Sequence, residues 1–200
     1  MKIFGFTDIV GSTALWEEYG DVMGYALAEH DAILHDEVSK AGGYVIKHTG
    51  DGIFAVFSGG DPLCFALNVQ KRFERRHWGV IGKLQLRIAL HAGQVQERDG
   101  DYFGAAVNRA ARLLCLSQGG QILLTPDVVR LAPLPARATL HDLGTHKLKD
   151  LTKLQRIYEL QHPDLSVQPV LPITAMASRL SNVRWRGHQR ELLVQSHLSA

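Results

Sequence analysis

Asp8 interrupts the apolar run KIFGFTDIV near the start of the chain, and Asp51 sits between two glycines in KHTGDG. A carboxylate in a segment rich in aromatic and β-branched residues is costly unless something neutralises it. A metal ion, an arginine, a helix N-terminus or exposure at the strand end would each do so. Asp51 taken alone is ordinary turn chemistry, because Asp-Gly favours tight hairpins. Its flanking glycines also leave room for a ligand to approach the main chain. If that hairpin pairs beside the first strand, Asp8 and Asp51 converge and can share a cation. Two carboxylates and a backbone oxygen, such as that of Ile9, leave open positions suited to Mg²⁺ or Mn²⁺ holding substrate phosphates.

The stretch DYFGAAVNRAARLL, residues 101–114, supplies a second set. Asn108 and Arg112 are four residues apart, so on a helix they point to one side. Such a pair is commonly a surface hydrogen bond. Beside a metal site, Arg offers a planar cation for a crowded phosphate and Asn can orient a ribose. Lys47, within an apolar strand, reads by itself as an outward-facing residue. With Asp101 it offers a donor and an acceptor, the complement of adenine N1 and the 6-amino group; guanine presents the opposite pattern. Buried polar groups left unpaired would reject the wrong base.

The elements that must hold these residues follow from periodicity. Residues 2–10 read as a buried strand and residues 21–41 as a helix, with Val22, Met23, Ala26, Leu27, Ile33, Leu34 and Val38 spaced by three or four. Tyr44–His48 and Ile53–Phe57 read as a hairpin and residues 61–76 as a second helix. Residues 84–91 alternate like a strand. Residues 107–116 read as a short helix with Val107, Ala110, Ala111 and Leu114 on its buried side. Residues 122–124 and 157–160 read as later strands, with no firm pattern between them. Strand, helix, strand, strand, helix, strand is a ferredoxin-like split βαβ pattern, here with C-terminal additions, an α+β form of the α/β class.

Composition narrows the rest. With 200 residues, a net charge of +2 and ordinary apolar content, the chain reads as one soluble domain with a tail and no nucleic-acid partner. No run approaches a membrane span and no secretory signal opens it, which points to a cytoplasmic protein. Cys64 and Cys115 read as reduced core thiols. Prolines 163, 169 and 172 and a cluster of arginines place a boundary near 162, giving a domain over 1–162 and a tail over 163–200, with a short helix expected over 191–198.

FTDIVGST, KHTGDG and DYFGAAVNRAARL, in this order and at this spacing, resemble the motif blocks of class III nucleotidyl cyclase catalytic domains. LHDLGTHKLKDL resembles the family's closing segment, so the similarity runs from about residue 2 to 160. It implies that Asp8 and Asp51, with the Ile9 carbonyl, hold two divalent ions, Mg²⁺ or Mn²⁺. It further implies that Lys47 and Asp101 select adenine, Asn108 places the ribose, Arg112 stabilises the transition state and Lys149 contacts the triphosphate. All six principal positions carry the residue type of an adenylyl cyclase, which forms cyclic AMP from ATP; guanylyl cyclases typically carry Glu and Cys in the two base-selecting places. The family splits its site between subunits, so a chain with both halves intact implies a homodimer with composite active sites. The alternative is a catalytically silent cyclase-like module that binds nucleotide or a partner, although degenerate copies usually lose a metal Asp or the Arg. A diguanylate cyclase should show a GG(D/E)EF-type turn, which TGDG is not. SNVRWRGHQRELL loosely resembles the linker before ATPase regions of multidomain cyclases, suggesting a further domain after residue 200 of a longer protein; a naturally short chain is the other reading. No P-loop pattern occurs in the 200 residues.

Overall fold

The run that Asp8 interrupts forms strand β1 (Lys2–Ile9), which has neighbours on both sides. The computed structural model describes residues 1–166; the helix expected over 191–198 lies outside them. After β1 come α1 (Ser12–Tyr19), α2 (Asp21–Lys40), β2 (Tyr44–His48), β3 (Ile53–Phe57), α3 (Pro62–Arg75) and β4 (Leu86–Gly93). Then follow β5 (Gln96–Arg98), β6 (Asp101–Phe103), α4 (Ala105–Leu114), β7 (Ile122–Leu124), α5 (Pro126–Leu131), β8 (Thr139–Lys147) and β9 (Leu154–Gln161).

Seven strands form one sheet in the order β2-β3-β1-β4-β7-β9-β8. The first four make the antiparallel split βαβ core that the sequence pattern predicts. β7 pairs in parallel with β4 after a crossover containing α4, and β9 and β8 extend the sheet as an antiparallel hairpin. These are the expected C-terminal additions. Strands β5 and β6 form a separate two-stranded ribbon.

Alternation along β1 divides two cores. Ile3 and Ile9 join residues of α2, α3 and α5 on one face, while Phe4 and Phe6 join Phe54 and α4 on the other. The Phe6 and Phe54 rings stack at 4.6 Å. Phe4, Phe6 and Phe54 are essentially fully buried, and each such side chain contributes roughly 1.5–3 kcal/mol of apolar burial. This aromatic layer is the floor on which α4 and the β2–β3 hairpin rest.

Several boundaries differ from expectation for physical reasons. Helix α1 is absent from the periodicity reading because it buries none of its residues and leaves no apolar stripe; Gly20, at φ +49, separates it from α2. Strand β4 begins two residues later than expected. Leu84 is already buried, so alternation starts before pairing does. On α4 the buried stripe is Ala106, Val107, Ala110 and Leu113, a rotation that leaves Ala111 and Leu114 half-buried. Both cysteines are free and half-buried rather than core residues, and burial pushes both thiols up.

His91, on β4, is 2% exposed and its Nδ1 lies 2.8 Å from Thr125 Oγ1. Burial first, then the charge of Arg109, lowers its pKa from 6.5 to about 4. The unfolded chain therefore binds a proton that the folded chain refuses between those values. Stability should fall as pH drops through this window, by roughly 3 kcal/mol from this group at most, and not further below it. Thermal unfolding across the window should show a flatter decline for His91→Gln than for the wild type.

Candidate active site

The turn between β2 and β3 is pressed against the end of β1. Only glycine fits at position 52, where a Cβ would lie 1.9 Å from the Thr7 carbonyl oxygen. Ile53 N–H donates to Thr7 Oγ1 at 3.0 Å, and Ile9 N–H donates to the Asp51 carbonyl at 3.1 Å. These bonds place Asp51 beside Asp8, the juxtaposition on which a shared cation depends. The turn itself is closed by Thr49 N–H donating to the Gly52 carbonyl at 2.9 Å.

Asp8 is answered by an arginine, one of the four ways of neutralising it. Asp8 and Arg87 are directly opposed across β1 and β4, and Arg87 donates to Asp8 Oδ2 from Nε at 2.9 Å and Nη2 at 2.6 Å. Even so, burial pushes the Asp8 carboxyl up, and the charge of Asp51 adds to this against the pull of Arg87. Asp51 Oδ1 accepts from Trp16 Nε1 at 3.1 Å. Two observations thus fit a divalent cation: a cost of burying the Asp8 charge that one arginine does not fully offset, and a second carboxylate near enough to oppose its ionisation. Among the described residues no group of three or more His, Cys, Asp and Glu side chains converges on one point, so water or substrate would have to complete the coordination.

Lys47 reaches its place through an irregularity. Val45 packs toward the α2 side and Ile46 toward the α4 side; strict alternation would return Lys47 to the α2 side. The β2–β3 register shifts between Val45 and Lys47, and Lys47 Nζ then lies 5.8 Å from the Phe54 ring centroid, over the α4-side floor. There it donates to Asp101 Oδ2. Asp101 Oδ1 accepts from the Tyr102 N–H at 2.8 Å, which fixes the carboxylate plane. The Lys47 donor and the Asp101 acceptor are therefore brought together by the bulge and by the β5–β6 ribbon.

Asn108 is exposed on α4. One turn later Arg112 donates to Asp150 Oδ2 at 2.8 Å, beside the exposed Lys149. Among the described residues no hydrogen bond or ion pair joins the Asp8–Asp51 pair to Lys47, Asp101, Asn108, Arg112 or Lys149. A cavity of about 230 Å³ lined by Arg137, Glu159 and His162 has none of those site residues in its wall. Arg87 and Trp16 were not legible as site residues. Arg87 does stand as the charged member of the alternating run LQLRIALH, while Trp16 lies on the unforeseen α1.

Residues 3–161 match the model of the adenylate and guanylate cyclase catalytic domain. The chain belongs to this family. An uncharacterized protein of Mycobacterium tuberculosis is 37% identical over 164 residues, covering 79% of the chain and 55% of the relative. The chain thus spans about half the length of that curated relative. An adenylate cyclase of Podospora anserina is 29% identical over 150 residues, covering 62% of the chain and 7% of that protein. Among solved structures, a Trypanosoma brucei adenylate cyclase described in its monomeric state superposes with a TM-score of 0.74 at 22% identity, covering 84% of the chain and 91% of its own. At that identity the likeness is one of fold, and it agrees with the mixed sheet of this cyclase domain. No helix among the described residues is long and apolar enough to cross a membrane.

Proposed function

We propose that this cyclase domain is an adenylyl cyclase that converts ATP to 3′,5′-cyclic AMP and pyrophosphate in a homodimer with composite sites. The observation that carries the reading is the Lys47–Asp101 pair, a donor and an acceptor held together over Phe54. Lys47 would donate to adenine N1 and Asp101 would accept from the 6-amino group, so the base bridges two groups that now satisfy each other. Asp8, Asp51 and the Ile9 carbonyl would hold two divalent cations. When bound, these supply Lewis acidity toward the 3′-hydroxyl and the phosphates.

The remaining chemistry falls to this chain's side chains. The 3′-oxygen attacks the α-phosphorus in line, the bond from that phosphorus to the bridging oxygen breaks, and pyrophosphate leaves. The proton of the hydroxyl passes to water or to a substrate phosphate, since no side-chain base stands out. Among the described residues Arg112 is tied only to Asp150, whose side chain is 63% exposed, and such surface pairs are worth about 0–1 kcal/mol. It can therefore turn to the charge that builds on the leaving phosphates at little cost. Asn108, with no side-chain hydrogen bond among the described residues, is available to the ribose, and Lys149 to the triphosphate. The N-terminus of α1, entered through Gly11 at φ +69 and carrying no side-chain cap, leaves backbone N–H groups open to anions just past Asp8. The tail over 163–200, and any domain after it in a longer protein, stand outside this catalytic assignment.

Replacing Lys47 with Glu and Asp101 with Cys together reverses the hydrogen-bonding pattern offered to the base. The double variant should invert the preference for ATP over GTP, because a site built around specific hydrogen bonds leaves buried groups unpaired with the wrong base. Competition between the two nucleotides in a single assay measures it. An unchanged ATP preference would remove Lys47 and Asp101 from base selection.

A further inference from the structure

Beside the hairpin lies a histidine cluster that the catalytic reading does not use. Asp31 and His35 are four residues apart on α2, on one helix face. His48 ends β2. The Nε2 atoms of His35 and His48 face each other at 3.3 Å, and both residues are exposed. On the far side of the His48 ring, Nδ1 lies 3.7 Å from Asp31 Oδ2. The other oxygen of Asp31 accepts from His30 Nδ1 at 2.8 Å. His30 is fully buried, and because a carboxylate only accepts, its Nδ1 carries the proton. His30 therefore fixes Asp31, and Asp31 stands behind His48.

We propose that His35 and His48 form a binding site for one transition-metal cation of the zinc class, distinct from the Asp8–Asp51 pair. Zinc–imidazole bonds of about 2.0–2.1 Å at tetrahedral angles separate two ligand nitrogens by about 3.3–3.4 Å, which is the spacing these two show. Imidazole suits zinc, copper and nickel, whereas the hard oxygens of Asp8 and Asp51 suit magnesium and manganese. Asp31 Oδ2, 3.7 Å from the non-ligating nitrogen of His48, adds negative charge close to the pair, which favours a cation held there. Two protein ligands leave the other positions to water, so binding is expected in the micromolar range rather than at the tightness of a structural zinc site. The cation would tie α2 to the end of β2, the strand that leads through Thr49 and Gly50 to Asp51.

A zinc titration against a chromophoric competitor tests this, using the full chain carrying Asp51→Asn so that the carboxylate pair does not contribute. Uptake of one zinc per chain is expected, weakened at least ~10-fold by His35→Gln and by His48→Gln, which each remove a ligand, and by a smaller factor by Asp31→Asn, which removes only nearby charge. Far-UV circular dichroism should be unchanged, since both histidines are on the surface. No uptake by the Asp51→Asn chain, or uptake of equal strength in the His35→Gln, His48→Gln double variant, would overturn the proposal. Because the readout is binding, the result is independent of whether the domain turns over ATP.

Discussion

Asp51→Asn should leave a folded protein with turnover reduced by a factor of ~10³ or more. The side chain sits at a turn and, among the described residues, its one hydrogen bond comes from Trp16, so its loss touches no core packing. Its charge is another matter. With Asp51 neutral, Asp8 alone remains, and Arg87 already occupies that carboxylate. A cation would have to compete with the guanidinium without the second carboxylate, and the energy of holding charge at the phosphates would be largely lost. Binding gives an independent readout. Mn²⁺ should raise the thermal midpoint of the wild type by mass action and leave Asp51→Asn unmoved. Equal midpoint shifts in the two proteins would place the metal elsewhere.

Arg112→Ala should cost about 10²–10³ in kcat with a much smaller change in KM, the signature of a group that acts mainly in the transition state. The fold should tolerate it, because the ion pair to exposed Asp150 contributes little. Mixing the two inactive variants is the sharper test. If Asp51 and Arg112 serve one site from different subunits, random exchange makes half the dimers mixed, and one of the two sites in each mixed dimer is intact. Activity should recover to about a quarter of the wild type. No recovery despite demonstrated subunit exchange would mean that each chain builds its site alone.

Much of the architecture could be read from the chain because burial demands apolar residues, in continuous runs along inner strands and at three- and four-residue spacing on helices. Strand β3 is buried at every position and β1 at nearly every one, and the hairpin ends β2 and β3 fall at the expected residues. Where burial imposes nothing, the pattern was silent. Helix α1 packs no residue fully inside, and the β5–β6 ribbon is too short and too exposed to alternate visibly. The candidate site divides in the same way. Residue types and spacing marked Asp8, Asp51, Lys47, Asp101, Asn108 and Arg112. They could not mark Arg87, which meets Asp8 only through the pairing of β1 with β4, nor Trp16, which meets Asp51 only through α1. Nor could spacing show that Lys47 gains the α4 face by a register shift, since alternation alone assigns it to the opposite side.

As proposed, the domain turns ATP into cyclic AMP only as a pair. Product formation by the purified chain, with ATP and GTP in parallel and Mn²⁺ or Mg²⁺ present, tests it across a dilution series. Cyclic AMP from ATP in preference to cyclic GMP from GTP, with specific activity falling as the chain is diluted, is the predicted result. No cyclic nucleotide at any concentration from a folded, dimeric chain, or activity per chain that ignores dilution into the monomer range, would contradict it.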